Sequence, residues 1–314
     1  MPSLLWFQCG ACGGDSMSLL NSGPPLLDDF LRRRDIELLY HPSLSLRSPK
    51  QLRILIEEYE QQGKEIDFLM IEGSMMLGPN DTGGYDTMGH EPKVAWVRRL
   101  VAISRHVIAV GTCSAYGGVP AGTPNPTDCT GLQWLRYDGN AGIFPADWRA
   151  KGGYPVINIP GCPIHPATLV DCIDLLLSGA PVEFDEYNRP ALLFNQVVHQ
   201  GCTRNEYHEY GAEDKDFGDK GCLFFNLGCQ GPRTHASCNV VLWNGVSSKT
   251  RAGVPCLGCT EPHFPNDQAL FKTEKIGPVP IRLPLGVKRA NYMAYKGLAH
   301  SAAPERIEKR EMEP

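Results

Sequence analysis

Long apolar runs are missing from this 314-residue chain: nowhere do about 18 consecutive apolar residues occur, the length a helix needs to cross a bilayer. An export signal is missing too. Leu4 to Phe7 is too brief for a signal-peptide core, and Arg32-Arg33-Arg34 follows no twin-arginine leader pattern. The expectation is a cytoplasmic protein, with membrane association at most peripheral and through partners. No long basic run is present and the formal charge is -5, which argues against nucleic acid as a partner. No GxGxxG follows a strand pattern, so neither NAD nor flavin finds its phosphate loop. Internal repeats and low-complexity tracts are absent as well. What is present is a globular composition, 42% hydrophobic and 21% charged, long enough for one large or two moderate domains.

Cysteine is abundant, with 12 residues. In the cytoplasm disulfides are disfavoured, and clustered cysteines more often bind metal. Strand and helix patterns alternate through the first half. Strands are predicted over Leu4–Gln8, Ile36–Tyr40, Ile66–Ile71, His106–Val110 and Val156–Ile159. Helices are predicted over Leu26–Arg33, Lys50–Gln62, Lys93–Ser104 and Pro166–Leu177. Strands apolar on both faces that alternate with helices mean a parallel α/β sheet. From about Pro181 the alternation stops, and glycine, proline, cysteine and polar residues dominate to Pro265. That segment needs a cross-link to order it, and a metal cluster is one.

Cys9 and Cys12 follow the first strand, Cys113 follows the fourth and Cys162 the fifth. All four thus stand just beyond carboxyl ends of parallel strands, the edge where open α/β sheets bind ligands. Four thiolates on one edge suit a 4Fe–4S cluster, and the neighbouring glycines let backbone amides approach its sulfurs. Four packed apolar thiols, or a thioredoxin-like Cys9/Cys12 pair, are the competing readings. Further on, His199, Cys202, Cys222, Cys229, Cys238, Cys256 and Cys259 divide into a set of four and a set of three. One histidine with three cysteines also makes an acceptable zinc site. Three cysteines left without a fourth ligand suit an iron–sulfur cluster lacking a corner iron better than a closed zinc site.

The ordered pattern Cys9-x-x-Cys12, Gly-Thr-Cys113, Pro-Gly-Cys162-Pro-x-His165-Pro, His199-x-x-Cys202, Cys222, Gly-Cys229-x-Gly-Pro, Cys238 and Pro-Cys256-x-Gly-Cys259-x-Glu-Pro closely resembles the small subunit of nickel–iron hydrogenases. The resemblance runs from about residue 5 to residue 265. It implies a flavodoxin-like open parallel sheet with helices on both faces over residues 1–180, carrying a proximal cluster. An irregular domain over 181–314 would carry the medial and distal clusters. By the same resemblance Cys9, Cys12, Cys113 and Cys162 hold a proximal 4Fe–4S cluster, and His199, Cys202, Cys222 and Cys229 a distal one. Cys238, Cys256 and Cys259 hold a medial 3Fe–4S cluster. No residue of this chain is catalytic, because the nickel–iron centre belongs to a large partner subunit and the dicysteine motifs that hold nickel are absent here.

The implied activity is uptake, H2:acceptor oxidoreduction by the complex, with electrons leaving to a quinone or another redox carrier. Such heterodimers are expected to assemble into a higher oligomer. A hydrogen-sensing complex and a quinone-reductase-type iron–sulfur subunit are the alternatives. Glu72 resembles the strand-end acid facing the large subunit, and reads equally as a surface carboxylate ending its strand. The segment Cys9-Gly-Ala-Cys-Gly-Gly-Asp15 departs from the Cys-Thr-Gly-Cys-Ser-Glu of many relatives. Ala11 and Ala121 stand where oxygen-tolerant relatives place extra cysteines. Cys129, Cys172, His165, His208, His235 and His263 read as packing or backbone-satisfying residues, and Trp96, Trp134, Trp148 and Trp243 as core or interface anchors. Anaerobic iron and sulfide analysis should give about eleven irons per chain; stoichiometric zinc beside a single cluster would refute the ligand sets.

Overall fold

Strands β1 (Ser3–Gln8), β2 (Glu37–Tyr40), β3 (Ile66–Glu72), β4 (Ser104–Val110) and β5 (Ile157–Ile159) hydrogen-bond into one parallel sheet in the order β2-β1-β3-β4-β5. The computed structural model describes residues 1–23, 26–266 and 269–309. It divides into two units: Met1–Leu192 with Pro262–Phe264, and Leu193–Glu261 with Pro265–Pro314. The sheet belongs to the first unit, and its order is that of flavodoxin-like folds, with the topological switch at the β1/β3 boundary.

Alternation along β1 shows why both faces are covered. Leu5 and Phe7 join a core with Leu52 and Ile56 of α3 (Pro49–Gln62) and Trp96 and Leu100 of α4 (Lys93–Ala102). Leu4 and Trp6 point the other way, toward Leu19 of α1 (Gly14–Leu20), Phe30 of α2 (Leu27–Arg33) and Leu169 of α6 (Pro166–Leu177). Strands apolar on both sides can only sit in such a sandwich. The sequence sets the start of α3 directly: Ser48 accepts from the Gln51 amide, the Gln51 side chain accepts from the Ser48 amide, and Pro49 opens the helix.

Two helices of the first unit escape the periodicity. Helix α1 begins at glycine after the loop that follows β1, and helix α5 (Gly111–Tyr116) begins at glycine directly after β4, so Cys113 lies in a helix. Their short length and glycine starts give no pattern to read. In α1 the first amides are satisfied by tertiary contact, since Asp15 and Ser16 donate to Glu72 Oε1 at 3.1 and 3.3 Å.

The second unit has short helical pieces at Val198–Gly201, Gly231–Arg233 and α7 (Asn205–Glu209). Longer regular structure comes only with α8 (Arg289–Ser301), followed by α9 (Glu305–Glu308). Cys222, Cys229 and Cys256 are themselves part of its buried core, beside Tyr207, Phe224 and Phe225. No helix among the described residues is long and apolar enough to cross a membrane. Leu69 is 0% exposed in the centre of the sheet. Leu69→Ala should cost about 2–5 kcal/mol, read as a lower unfolding temperature of the assembled protein. The same change at fully exposed Leu46 should be near neutral.

Candidate metal centres

The sheet delivers its cysteines level with one another. Gln8 pairs with Glu72, Glu72 with Val110 and Val110 with Ile159, so four strands stop at one line and their chains turn off together. The turns are stitched: Thr112 donates to the Gly161 carbonyl at 2.9 Å, and Gly161 donates to Thr112 Oγ1 at 2.9 Å. Cys12, Cys113 and Cys162 are gathered here. Burial pushes the Cys113 thiol up to about 12, and Cys162, Asp15 and Cys12 are the negative neighbours that add to it. Cys9 is placed differently. Its amide donates to the Glu72 carbonyl at 2.8 Å, but its thiol packs in the core with Phe7 and Met75, raised first by burial and then by Asp86.

Glu72 is not a surface carboxylate. It is 0% exposed, and it accepts from Trp6 Nε1 at 2.9 Å, from the Ser16 hydroxyl and from two α1 amides. Four donors satisfy a buried carboxylate that would otherwise be costly. Asp15, which the motif showed only as a departure, is part of the same edge. Its Oδ1 accepts from the Ile164 amide at 2.8 Å, tying the chain after β5 to α1. Burial raises the Asp15 carboxyl to about 7, opposed by the Ile164 hydrogen bond and helped by Glu72. A Cβ at Gly111, where φ is +85°, would strike this carboxylate, so glycine there is a condition of the contact.

In the second unit the seven remaining candidates fall into two clefts. His199, Cys202, Cys222 and Cys229 line one, of about 280 Å³ including its mouth. Cys238, Cys256 and Cys259 line another, of about 430 Å³ by the same measure, with Trp243 and Lys249 on its wall. The thiols within each cleft sense one another. Burial is the largest cause raising Cys229, followed by Cys222, with Cys202 adding less; for Cys238 it is burial and then Cys259.

One backbone device recurs. Gly14 donates to Cys12 Sγ at 3.3 Å, Arg204 to Cys202 Sγ at 3.4 Å and Gly231 to Cys229 Sγ at 3.4 Å, each from two residues on. The Phe224 and Gly258 amides lie two residues beyond Cys222 and Cys256 and favour those thiolates in the same way. Cys229 takes a second donor, the Cys256 amide at 3.3 Å. Such N–H to sulfur bonds stabilise thiolate, the form that binds iron. Cys172 and Cys129 lack this setting. Cys172 lies inside α6, where backbone amides serve helix carbonyls, and Cys129 meets the hydroxyls of Thr127 and Ser74. The donor set therefore fits iron–sulfur clusters. No three His, Cys, Asp or Glu side chains among the described residues close on a point tightly enough for a single metal ion.

Second-layer groups hold these thiols in place, and periodicity gave no sign of them. Buried Arg204 pairs with fully buried Asp214 at 2.6 Å and donates to the carbonyls of Gly221 and Thr250, closing the loops around Cys202 and Cys222. Glu261 accepts from the His235 amide at 2.6 Å and Thr260 donates to the His235 carbonyl at 2.9 Å, fastening the Cys259 turn near Cys238. The Trp243 side chain donates toward Cys238, which lowers that thiol against its burial. His208 lies 3.4 Å from Cys222 Sγ, while His263 pairs with Tyr137 at 2.6 Å in the first unit.

Residues 194–272 match the C-terminal family of the NiFe/NiFeSe hydrogenase small subunit, and residues 12–176 match the NADH ubiquinone oxidoreductase 20 Kd subunit family. The F420 non-reducing hydrogenase II small subunit of Methanosarcina mazei is 32% identical over 288 residues, covering 84% of this chain and 73% of its own. The chain belongs to the NiFe hydrogenase small-subunit family. The periplasmic [NiFe] hydrogenase small subunit of Solidesulfovibrio fructosivorans is 30% identical over 267 residues, covering 84% of this chain and 79% of its own. Among solved structures, the actinobacterial-type NiFe-hydrogenase from Ralstonia eutropha H16 superposes with a TM-score of 0.78 at 27% identity, covering 100% of this chain and 92% of its own. The Ni-Fe-Se hydrogenase of Desulfomicrobium baculatum gives 0.72 at 29% identity, over 87% of this chain and 99% of its own. The fold of the small-subunit family thus extends over both halves.

Arg204→Met would leave the Asp214 charge buried without its partner. Removing one member of a buried pair costs about 3–5 kcal/mol, so the variant should unfold at lower temperature and retain less iron than the wild type. Unchanged stability and iron content would show that the clamp does not support the site.

Proposed function

We propose that this chain is the electron-carrying subunit of an uptake hydrogenase, partnered with a large subunit that holds the nickel–iron centre. The observation that carries the reading is the recurrence of amide-to-sulfur bonds at thiols collected on one sheet edge and in two clefts. When bound, 4Fe–4S clusters at the first-unit edge and the His199 cleft, and a 3Fe–4S cluster at the Cys238 cleft, would supply one-electron carriers. The protein's own part is to hold the thiols, to aim N–H groups at their sulfurs and to keep water away. Cys12 is exposed and Cys113 and Cys162 are half-buried, so the first-unit edge suits covering by the large subunit. Electrons would leave at the His199 site to a quinone or another redox carrier, in a cytoplasmic heterodimer that assembles further.

His199→Ala tests the assignment of the outlet. Hydrogen–deuterium exchange needs only the nickel–iron centre, whereas reduction of an added dye needs the whole relay. The variant should keep most of its exchange and lose most of its dye reduction. Equal loss of both in an intact heterodimer would contradict the role given to His199.

A further inference from the structure

His208 is a histidine that the ligand pattern does not use, and it touches two members of the His199 site. Its Nδ1 lies 3.4 Å from Cys222 Sγ, and its ring meets the His199 ring edge-on, with centroids 4.4 Å apart at 68°. The imidazole is fixed from the remaining sides. Phe225 stacks on it at 5.3 Å and 17°, Phe224 meets it at 5.2 Å and 67°, and its amide donates to the Arg204 carbonyl at 3.2 Å. Arg204 is in turn locked to Asp214. The ring therefore has little freedom to turn its nitrogen away from the sulfur.

We propose that His208 is a positioning residue that sets the reduction potential of the His199 site by donating its Nδ1 proton to the Cys222 sulfur. This rests on the ligand set given under the proposed function. An iron-bound thiolate carries no proton, so in the bond between the two atoms the nitrogen must be the donor. A donor aimed at a cluster sulfur withdraws negative charge and favours the reduced state, which raises the potential. The amide two residues on from Cys222 also serves that thiolate. His208 is the side-chain addition to it, and the Phe225 stack keeps it aligned.

Two substitutions in the assembled heterodimer separate this role from simple packing. His208→Phe keeps a flat ring against Phe225 and removes the donor. His208→Asn removes the ring and places an amide N–H close to where Nδ1 stood. Redox titration followed by electron paramagnetic resonance should show the distal midpoint falling in the Phe variant and recovering most of that shift in the Asn variant. The other two clusters should stay put in both. An unmoved distal midpoint in His208→Phe at full iron content would overturn the proposal, as would equal shifts in the two variants. Should His208→Phe lose the cluster, the wild type decides. With 15N placed in histidine, the reduced distal cluster should couple to two histidines, the His199 ligand and a more weakly coupled second one bearing a proton that disappears on exchange into D2O, and coupling to a single histidine would overturn the proposal. A wild-type complex with no distal cluster signal would instead overturn the ligand set itself.

Discussion

A thiolate withdrawn from water carries a full charge that something in the protein must balance. Burial, with nearby negative groups adding to it, lifts the thiols of Cys113, Cys222 and Cys229 to about 12, which disfavours the bare thiolate. Two things offset that: the metal charge a cluster brings, and amide N–H groups aimed at sulfur. The amides are built into the chain by a short-range rule, a donor two residues beyond the cysteine. The rule needs a tight turn after each thiol, and glycine supplies the turn after Cys12, Cys229 and Cys256. The glycines after these three cysteines thus serve the charge on sulfur as well as the turn.

The two units meet this constraint from opposite starting points. In the first, a five-stranded sheet has a core of its own, and the thiols are attached to its edge. Leu5, Leu69 and Val107 would stay buried whether or not metal were present. In the second, Cys222, Cys229 and Cys256 belong to the buried core, so any cluster they held would be part of the packing as well. A core whose members are also ligands couples folding to metal uptake. Its polar supports, Arg204 with Asp214 and Glu261 with His235, act on loops and not on regular elements.

Much of this was legible in the sequence because it rests on local pattern. The strands showed as continuous apolar runs, since a sheet covered on both faces leaves no polar alternation, and the apolar periodicity of Lys50–Gln62 gave α3 to within a residue of its start at Pro49. The cysteines announced themselves by chemistry; the structure gathers Cys12, Cys113 and Cys162 at one sheet edge and lines two clefts with the later ones, while Cys9, Cys222, Cys229 and Cys256 are also members of buried cores. What the sequence hid depends on contacts far apart in the chain. Helix α1 begins at glycine and owes its first amides to Glu72, 56 and 57 residues away. For Glu72 the sequence left open a strand-end acid facing a large subunit or a surface carboxylate, because nothing local shows that Trp6 and Ser16 converge on it. Asp15 read as a deviation from a motif, yet its carboxylate ties two strand ends together. Arg204, two residues after Cys202, gave no sign of reaching Asp214, Gly221 and Thr250.

The two clefts of the second unit differ in how they treat charge. The His199 cleft gathers three thiols and an imidazole, with amides and the His208 ring against its sulfurs and Arg204, already paired with Asp214, on its wall. The Cys238 cleft also gathers three thiols, and no further cysteine occurs between Cys238 and Cys256. It places Lys249 on its wall, and after the Trp243 hydrogen bond the Lys249 charge is the next largest influence that eases Cys238 toward thiolate. An ammonium has no lone pair to offer iron, so Lys249 cannot stand in for a fourth ligand. It can still attract the negative charge of the three sulfurs without binding metal. Ligand count and local charge therefore vary separately between the two clefts, and a chain that alters one without the other changes the electrostatic setting of a site while keeping its thiols.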